Sequence, residues 1–263
     1  MIRLSKRRPD LEEIMDRDDC DADALERTYR AFVHINRWLS GWGRLYGRYV
    51  RPVLEHEAAR REETRHAAKS RVPAGLEHGK PIRIVDVGCG GGDVLRYVMR
   101  RARRDGFDVE GLGVDPDGRA IRFAREKART SVDPPMSFLE GHLEDVSGPV
   151  DIIISNHLLH HMTDREVRQL LAAGADRAAL VCIHNDIARS WAALVLFQVV
   201  RPLFPRTFVG VDGTRSIQRA FTARELAALA GPDWMLVRAA PFRAGLLFAT
   251  PHRLRDELAG AAS

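Results

Sequence analysis

The segment IRIVDVGCGGGD at residues 82–93 constrains the fold of this chain more than any other part of the sequence. It joins a run of β-branched apolar residues, typical of a buried parallel strand, to Gly88, Gly90 and Gly92 at every second position. Glycine permits a tight turn and lets a ligand approach the backbone closely. Because a helical pattern follows at once, the segment predicts a ligand-binding unit of strand, glycine turn and helix.

The chain after residue 80 repeats this alternation of strand and helix. Apolar runs predict strands at residues 82–87, 109–114, 136–140, 150–155 and 179–184, and a terminal hairpin at 234–239 and 244–249. Strands that alternate with helices at this spacing predict an α/β fold with a doubly wound, mostly parallel, seven-stranded sheet.

Residues 22–55 predict two helices that precede the sheet. The helical pattern breaks at Ser40 and Gly41. Proline lacks the N–H that a helix interior needs, so Pro52 predicts that the second helix kinks or ends near Arg51.

Two parts of the chain follow from these patterns. Residues 1–80 are expected to form an N-terminal helical cap and linker, and residues 81–263 a ligand-binding domain. The apolar insert at 190–220 is expected to cover an acceptor pocket of that domain.

Composition makes a secreted or membrane-spanning protein unexpected. The three cysteines are far apart and form no Cys-x-x-Cys pair, which argues against a disulfide framework and a cysteine zinc site. The N-terminus is charged and lacks the apolar core of a signal peptide, and no run of 18 residues is apolar. We therefore expect a cytoplasmic protein without stable membrane insertion.

The charge distribution does not favour a nucleic-acid groove. The net charge is +5, but residues 81–181, which hold the glycine motif, carry 14 cationic and 16 acidic side chains, 14 − 16 = −2. Phosphate backbones are bound by clustered cations. We therefore expect a small molecule as the partner.

Two acidic residues distinguish between the ligands that such a glycine loop can bind. Asp86 lies inside the end of the first strand, where a carboxylate would repel a pyrophosphate but suits the ammonium of S-adenosylmethionine. Asp115 ends the second strand and can accept hydrogen bonds from both hydroxyls of a ribose. Asp86 and the glycine spacing therefore favour S-adenosylmethionine over a dinucleotide.

The stretch from about residue 82 to 181 resembles the class I S-adenosylmethionine-dependent methyltransferases. The motifs that carry the resemblance are VDVGCGGGD, GLGVDPDGRAI, FLEGHLEDV and VDIIISNHLLHHMTD. Within the class, the chain is most similar to bacterial ubiquinone/menaquinone-type and polyketide-type methylases, which act on phenols and other small molecules. The resemblance implies a Rossmann-like methyltransferase fold with S-adenosylmethionine as cofactor.

Matched to these motifs, the expected cofactor contacts lie at the ends of the first four strands. They are Asp86, Gly88, Gly90, Gly92, Asp115, Pro116, His142, Leu143 and Asn156. His142 stands where the family usually has an acidic residue beside the adenine, so the Leu143 backbone or Glu144 is the alternative contact there.

Histidines follow the fourth strand, at the edge where parallel sheets place their chemistry. A histidine can remove the proton of a phenol before methyl transfer. Counted from Asp151, His160 is the tenth residue, the place at which similar phenolic O-methyltransferases carry a basic histidine. His160 is therefore the first candidate base, with His157 and His184 as alternatives. No metal is expected.

The acceptor is expected to contact the cap and the insert. Candidate substrate-binding residues are Tyr29, Arg37, His184, Trp191 and Phe197. The function predicted is methyl transfer to an oxygen of a small apolar acceptor of phenolic or polyketide/quinol type. The enzyme is expected to be bacterial, to act in secondary metabolism and to form a homodimer. Three alternatives stay open at this point: C- or N-methylation of a small molecule, RNA methylation, and cofactor binding without catalysis.

Overall fold

The computed structural model describes residues 4–69, 80–130 and 133–250, and within them a single seven-stranded sheet with the order β3-β2-β1-β4-β5-β7-β6. The strands are β1 Ile82–Val87, β2 Val109–Asp115, β3 Met136–Glu140, β4 Val150–Asn156, β5 Ala178–Ile187, β6 Met235–Val237 and β7 Arg243–Ala249. The first five pair in parallel, and β7 pairs antiparallel with both β5 and β6. This arrangement confirms the predicted doubly wound, mostly parallel sheet.

Helices cover both faces of the sheet. They are α1 Ala22–Leu39, α2 Trp42–Leu45, α3 Arg51–Lys69, α4 Asp93–Arg104, α5 Gly118–Thr130, α6 Asp164–Arg177, α7 Trp191–Val200, α8 Val209–Arg219 and α9 Ala223–Ala230. One buried cluster joins α2 to α5 with one face of the sheet, and a second joins α6 and α9 with the other. Alternate side chains of β1 divide between these clusters, as the pleat of a strand requires.

The prediction that the second helix kinks or ends near Arg51 is confirmed in part: the hydrogen-bond pattern changes between Val50 and Arg51, although the chain stays helical. A π-helical turn, Tyr46–Val50, leads directly into α3, which continues to Lys69. Pro52 is the second residue of α3, immediately after a turn with a wider hydrogen-bond spacing, where its missing N–H is tolerated. Of the predicted linker, residues 70–79 lie outside the described residues.

Capping boxes fix where two of the helices beside the sheet begin. Thr163 accepts from the Glu166 N–H and begins α6, and Thr222 accepts from the Glu225 N–H and begins α9, in both cases with the reciprocal glutamate bond. These capping boxes satisfy amide groups that a helix N-terminus leaves free. None of the helices in the described ranges is both long and apolar enough to cross a bilayer.

The register brings the carboxyl ends of four strands to one edge. Asp86 of β1 lies opposite Gly113 of β2, and Asn156 of β4 lies opposite Asn185 of β5. Ligand sites of open α/β sheets form at this edge, where the strand order reverses. Here the reversal falls between β1 and β4.

Candidate active site

A cavity of about 1010 Å³ opens at the carboxyl ends of β1, β2 and β4. Its walls come from the glycine loop, α1, α7, α8 and the N-terminal segment. Its lining includes apolar side chains such as Phe32, Ile35, Phe197 and Phe242 and also carboxylates, among them those beside the glycine loop. One cavity therefore offers both acidic and apolar surface.

The glycine loop requires backbone that other residues adopt at a cost. Gly88, Gly90 and Gly92 have φ values of 66°, 51° and 72°. A β-carbon on Gly92 would lie 2.6 Å from the Phe138 ring, so this glycine allows close packing behind the loop. A β-carbon on Gly90 would meet no atom within 4 Å, because this residue faces the cavity.

Three carboxylates surround the loop. Asp86 is 1% exposed, and neither of its oxygens has a hydrogen-bond partner in the described part of the chain. Burial, reinforced by Asp93 and Asp115, raises the pKa of Asp86 well above its usual value. Burial also raises the pKa values of Asp93 and Asp115. The acidic surface of the cavity beside the glycine loop is thus poised to accept positive charge.

Asp115 also holds the glycine loop in place. Its carboxylate accepts from the Gly90 N–H at 2.8 Å and from the Asp117 N–H at 2.9 Å. Asp117 in turn pairs with Arg119 at 2.9 Å and accepts from the Tyr29 hydroxyl at 3.3 Å. Each carboxylate oxygen of Asp115 retains lone pairs directed at the cavity wall, as a ribose anchor needs.

These residues fit S-adenosylmethionine and do not fit a dinucleotide. S-adenosylmethionine carries an ammonium and a sulfonium, which three buried carboxylates would attract, and no phosphate. Asp86 and Asp93 would face the ammonium end and Asp115 the ribose. A pyrophosphate in the same place would meet uncompensated negative charge.

We expect Asp86→Asn to stabilise the ligand-free protein and to weaken cofactor binding. A carboxylate whose pKa is raised on folding destabilises the folded state increasingly as pH rises from its unfolded pKa toward its folded pKa. The melting temperature of the variant should therefore exceed that of the wild type, and the difference should be larger at pH 8 than at pH 5. Each kcal/mol gained in the free energy of unfolding should raise the melting temperature by roughly 2 to 4 °C. Calorimetric melting without ligand measures this, and a variant that melts lower at every pH would contradict it.

A hydrogen-bonded network closes the floor of the cavity. The Asn36 amide donates to Asp93 at 2.9 Å and its oxygen accepts from Asn156 at 3.0 Å. Arg243 donates to the Asn156 oxygen at 2.8 Å and to His157 Nε2 at 2.6 Å. Asn156 therefore lines the cavity as predicted, but its contacts position α1 and β7 against β4.

His157 lines the cavity without a free basic nitrogen. Its Nε2 lone pair is occupied by Arg243, and burial together with the Arg243 charge lowers the pKa of His157 well below its usual value. Its backbone is held in the left-handed region at φ 60°, where its N–H donates to Asn185 at 3.0 Å. His157 was predicted as an alternative base. In the structure it instead accepts a hydrogen bond from Arg243 and so helps to hold the Arg243 side chain in position.

His160 lies between two carboxylates. Its Nδ1 bonds Asp186 at 2.7 Å, and its Nε2 lies 3.5 Å from Glu13 of the N-terminal segment. Burial alone would lower the pKa of His160, but Asp186 and Glu13 outweigh it and raise the pKa to about 9. The same contacts hold the pKa of Glu13 at about 2 despite its burial. Asp186 thus orients an imidazole of raised pKa whose Nε2 is paired with Glu13, and both His160 and Glu13 line the cavity.

Glu13, His160 and His161 also form a group that could hold a metal ion. One ligand atom from each lies within 4.8 Å of the others. The Nδ1 of His161 lies 3.1 Å from Asp16, and Glu13 accepts from Ser216 Oγ at 2.8 Å. These contacts join the N-terminal segment to the turn after β4 and to α8.

Several predicted contacts lie away from the cavity lining. His142 is exposed and caps a short 3₁₀ turn, and Leu143 is 2% exposed within the core. Arg37 is exposed and stacks on Trp38, and Gly92 packs on Phe138. Among the adenine-side candidates, Pro116 does line the cavity, together with Glu140 at the end of β3.

His184 and Trp191 are the clearest corrections among the predicted substrate residues. His184 is fully buried inside β5, where Nδ1 bonds Ser155 at 2.7 Å and Nε2 lies 3.2 Å from Cys182. Trp191 is 58% exposed on the outer side of α7. The predicted strand ended too early for β5, and a helix shows only part of its surface to a cavity. Tyr29 and Phe197, by contrast, do line it.

Sequence reasoning did not select Glu13 or Arg243 as site residues. Both lie far from the glycine motif in sequence and reach the cavity only through tertiary contacts. Asp93 was within reach, because it directly follows the glycines of the motif and begins α4.

Comparison with known proteins agrees with this geometry. Residues 84–177 match the family described as "Methyltransferase domain". The plantazolicin methyltransferase BpumL in complex with SAH superposes with a TM-score of 0.51 at 13% identity, over 88% of this chain and 95% of that one.

Two further solved structures overlap less closely. A SAM-dependent methyltransferase from Aquifex aeolicus gives a TM-score of 0.46 at 17% identity over 66% of this chain and 83% of its own. Magnesium protoporphyrin IX methyltransferase from Synechocystis PCC 6803 with bound SAH gives 0.40 at 16% identity over 84% and 98%. Over residues 84–177 this chain is therefore similar to methyltransferase domains, and it shares the fold of BpumL.

Proposed function

We propose that this enzyme transfers a methyl group to an oxygen of a small apolar acceptor of phenolic or quinol type. The observation that carries the proposal is the position of His160, which lines a cavity with acidic and apolar surface and whose Nε2 lies 3.5 Å from Glu13, another residue of the lining. When bound, S-adenosylmethionine supplies an electrophilic methyl group on its sulfonium. Asp86, Asp93 and Asp115 hold positive charge and ribose at the acidic surface beside the glycine loop.

The chain's own residues prepare the acceptor oxygen. Phe32, Ile35, Phe197 and Phe242 surround an apolar ring and exclude water from it. In the molecules in which His160 is neutral, a fraction that grows as pH rises toward 9, the acceptor hydroxyl takes the place of the Glu13 carboxylate at Nε2 and gives its proton to that nitrogen. Asp186, bonded to Nδ1, stabilises the imidazolium that results.

With Glu13 in place the pKa of His160 is about 9, close to the value of about 10 for the phenol of tyrosine. When the acceptor displaces Glu13, one of the two carboxylates that raise this pKa is removed, and Asp186 remains to stabilise the protonated ring. An already nucleophilic carbon or nitrogen acceptor would not need the base, and this is the feature that distinguishes O-methylation from the C- and N-methylation alternatives.

Cofactor choice and acceptor class are tested in turn. Titration calorimetry should show micromolar binding of S-adenosylhomocysteine and none of NAD(H), because Asp86 lines the cavity with neither of its carboxyl oxygens hydrogen-bonded within the described chain. A screen of phenols, resorcinols and quinols with labelled S-adenosylmethionine should then yield a methyl ether. Preference for NAD(H) would overturn the proposal that the protein binds S-adenosylmethionine. Methylation of RNA alone would overturn only the proposal of a small phenolic or quinol acceptor.

A further inference from the structure

An apolar stripe on α7 faces away from the protein. It consists of Trp191, Val195 and Val199, which are 58%, 63% and 71% exposed and recur at every fourth position, and it continues to Leu203, 72% exposed, in the 3₁₀ turn Arg201–Leu203 that follows α7. Residues at that spacing lie along one side of a helix. The opposite side of α7 is apolar as well and is buried in a cluster that includes Leu4 and Ile217. The protein therefore covers only one of two apolar sides.

The opening of the active-site cavity lies beside this α7 stripe. Leu196 on α7 and Trp38 and Leu39 at the end of α1 line the cavity, yet they are 42%, 74% and 45% exposed. Residues that both line a cavity and face solvent mark its rim. Leu196 follows Val195 on α7 and so joins the stripe to the cavity, and together these residues expose more clustered apolar side chains than the isolated ones of ordinary protein surfaces.

The two segments that form this surface lack acidic residues. No aspartate or glutamate occurs between residues 27 and 54 or between 187 and 211, in a chain with 36 of them. Arg37, Arg201 and Arg206 are exposed within these segments. Asp16, Asp18 and Glu140 also line the cavity and are exposed, but they lie on other elements. The part of the surface formed by α1 and α7 offers apolar side chains, a tryptophan and flanking arginines, which match the interface of a bilayer with anionic headgroups.

We propose that the α7 stripe and the cavity rim dock on an anionic lipid surface, so that the cavity opens toward the membrane. α7 would lie in the plane of the headgroups with Trp191, Val195 and Val199 inserted. This mode needs no spanning helix, in agreement with the described helices. Entry of an apolar acceptor directly from the lipid rests on the proposed function; the docking itself does not.

Sedimentation with vesicles tests the docking without any acceptor. The full chain should bind phosphatidylcholine vesicles that contain phosphatidylglycerol, bind pure phosphatidylcholine vesicles much less, and dissociate as salt is raised. Emission from the exposed Trp38 and Trp191 should shift to the blue on binding. Arg201→Gln combined with Arg206→Gln should weaken binding by roughly fivefold for each arginine, from about 1 kcal/mol per cation near the surface.

A charge in the stripe gives the sharpest variant. Val195→Glu with Val199→Glu should reduce vesicle binding by about tenfold or more, because carboxylates are repelled by the anionic surface. Leu236→Glu, at an exposed apolar position on β6, adds the same kind of charge elsewhere and should leave binding unchanged. All variants should retain S-adenosylhomocysteine affinity, which separates loss of docking from loss of the fold and from failure of the proposed reaction.

Three results would overturn the docking proposal. The first is absence of binding to anionic vesicles at low salt. The second is binding that Val195→Glu with Val199→Glu leaves intact. The third is a dimer in solution that these substitutions convert to a monomer, which would assign the surface to a second copy of the chain.

Discussion

His160→Ala should lower kcat by about a hundredfold or more on a phenolic acceptor, while the dissociation constant of S-adenosylhomocysteine stays nearly constant. The loss follows from removal of the proton acceptor at Nε2, since the nitrogen of His157 is occupied by Arg243. The loss should be greatest for acceptors of high pKa, because an acidic phenol is already ionised. Turnover against a series of substituted phenols measures this.

The pH dependence provides an independent readout of the same residue. Because His160 has a pKa of about 9, wild-type kcat/KM on a high-pKa phenol should rise by about tenfold per pH unit below that value and level off above it. Glu13→Gln removes one of the two carboxylates that raise this pKa and should move the rise to lower pH. Other contacts near His160 remain in that variant. The His161 ring lies against the His160 ring, Asp16 contacts His161, and Arg219 donates to the His160 carbonyl.

A structural role for His160 would give a different pattern. His160 is 1% exposed, so the melting temperature of His160→Ala must be measured beside its turnover. A mild loss that is the same for all acceptors would indicate that proximity and desolvation alone drive transfer. If His157→Ala or His184→Ala proves more damaging at an unchanged melting temperature, the base is assigned wrongly.

Asp115→Ala should weaken binding of S-adenosylhomocysteine by roughly 2 kcal/mol, about thirtyfold, because two ribose hydroxyls lose a charged acceptor. The variant also releases the Gly90 N–H from the carboxylate, which loosens the loop under the ligand. Titration calorimetry measures the change.

Asp151→Ala is a matched control for this effect. Asp151 likewise accepts a backbone N–H, from Arg83 at 2.8 Å, but it lies at the amino end of β4. It should lower stability without altering the dissociation constant. An unchanged dissociation constant in Asp115→Ala would show that Asp115 is not the ribose anchor.

Predictions that depend on local sequence agree closely with the structure. The β1 strand, the glycine turn and the capping box at Thr222 are determined by residues a few positions apart, through backbone freedom and amide satisfaction. The seven-stranded order follows from repetition of the same unit, because crossovers between parallel strands have one hand. Asp86 and Asp115 reach the cavity because they lie at the carboxyl ends of β1 and β2, and ligand sites of parallel sheets form at that edge.

Predictions that depend on packing between distant segments were less accurate. Whether His160 or His184 faces the cavity depends on the length of β5 and on the pairing of Asp186 with His160, 26 residues away. The pKa of His160 depends further on Glu13, from a segment with no sequence pattern in common with the motif. The sequence by itself determined the sheet, the loop and the acidic surface of the cavity. Only the tertiary structure decided which histidine is basic, because burial and the distance between charges are properties of the folded chain.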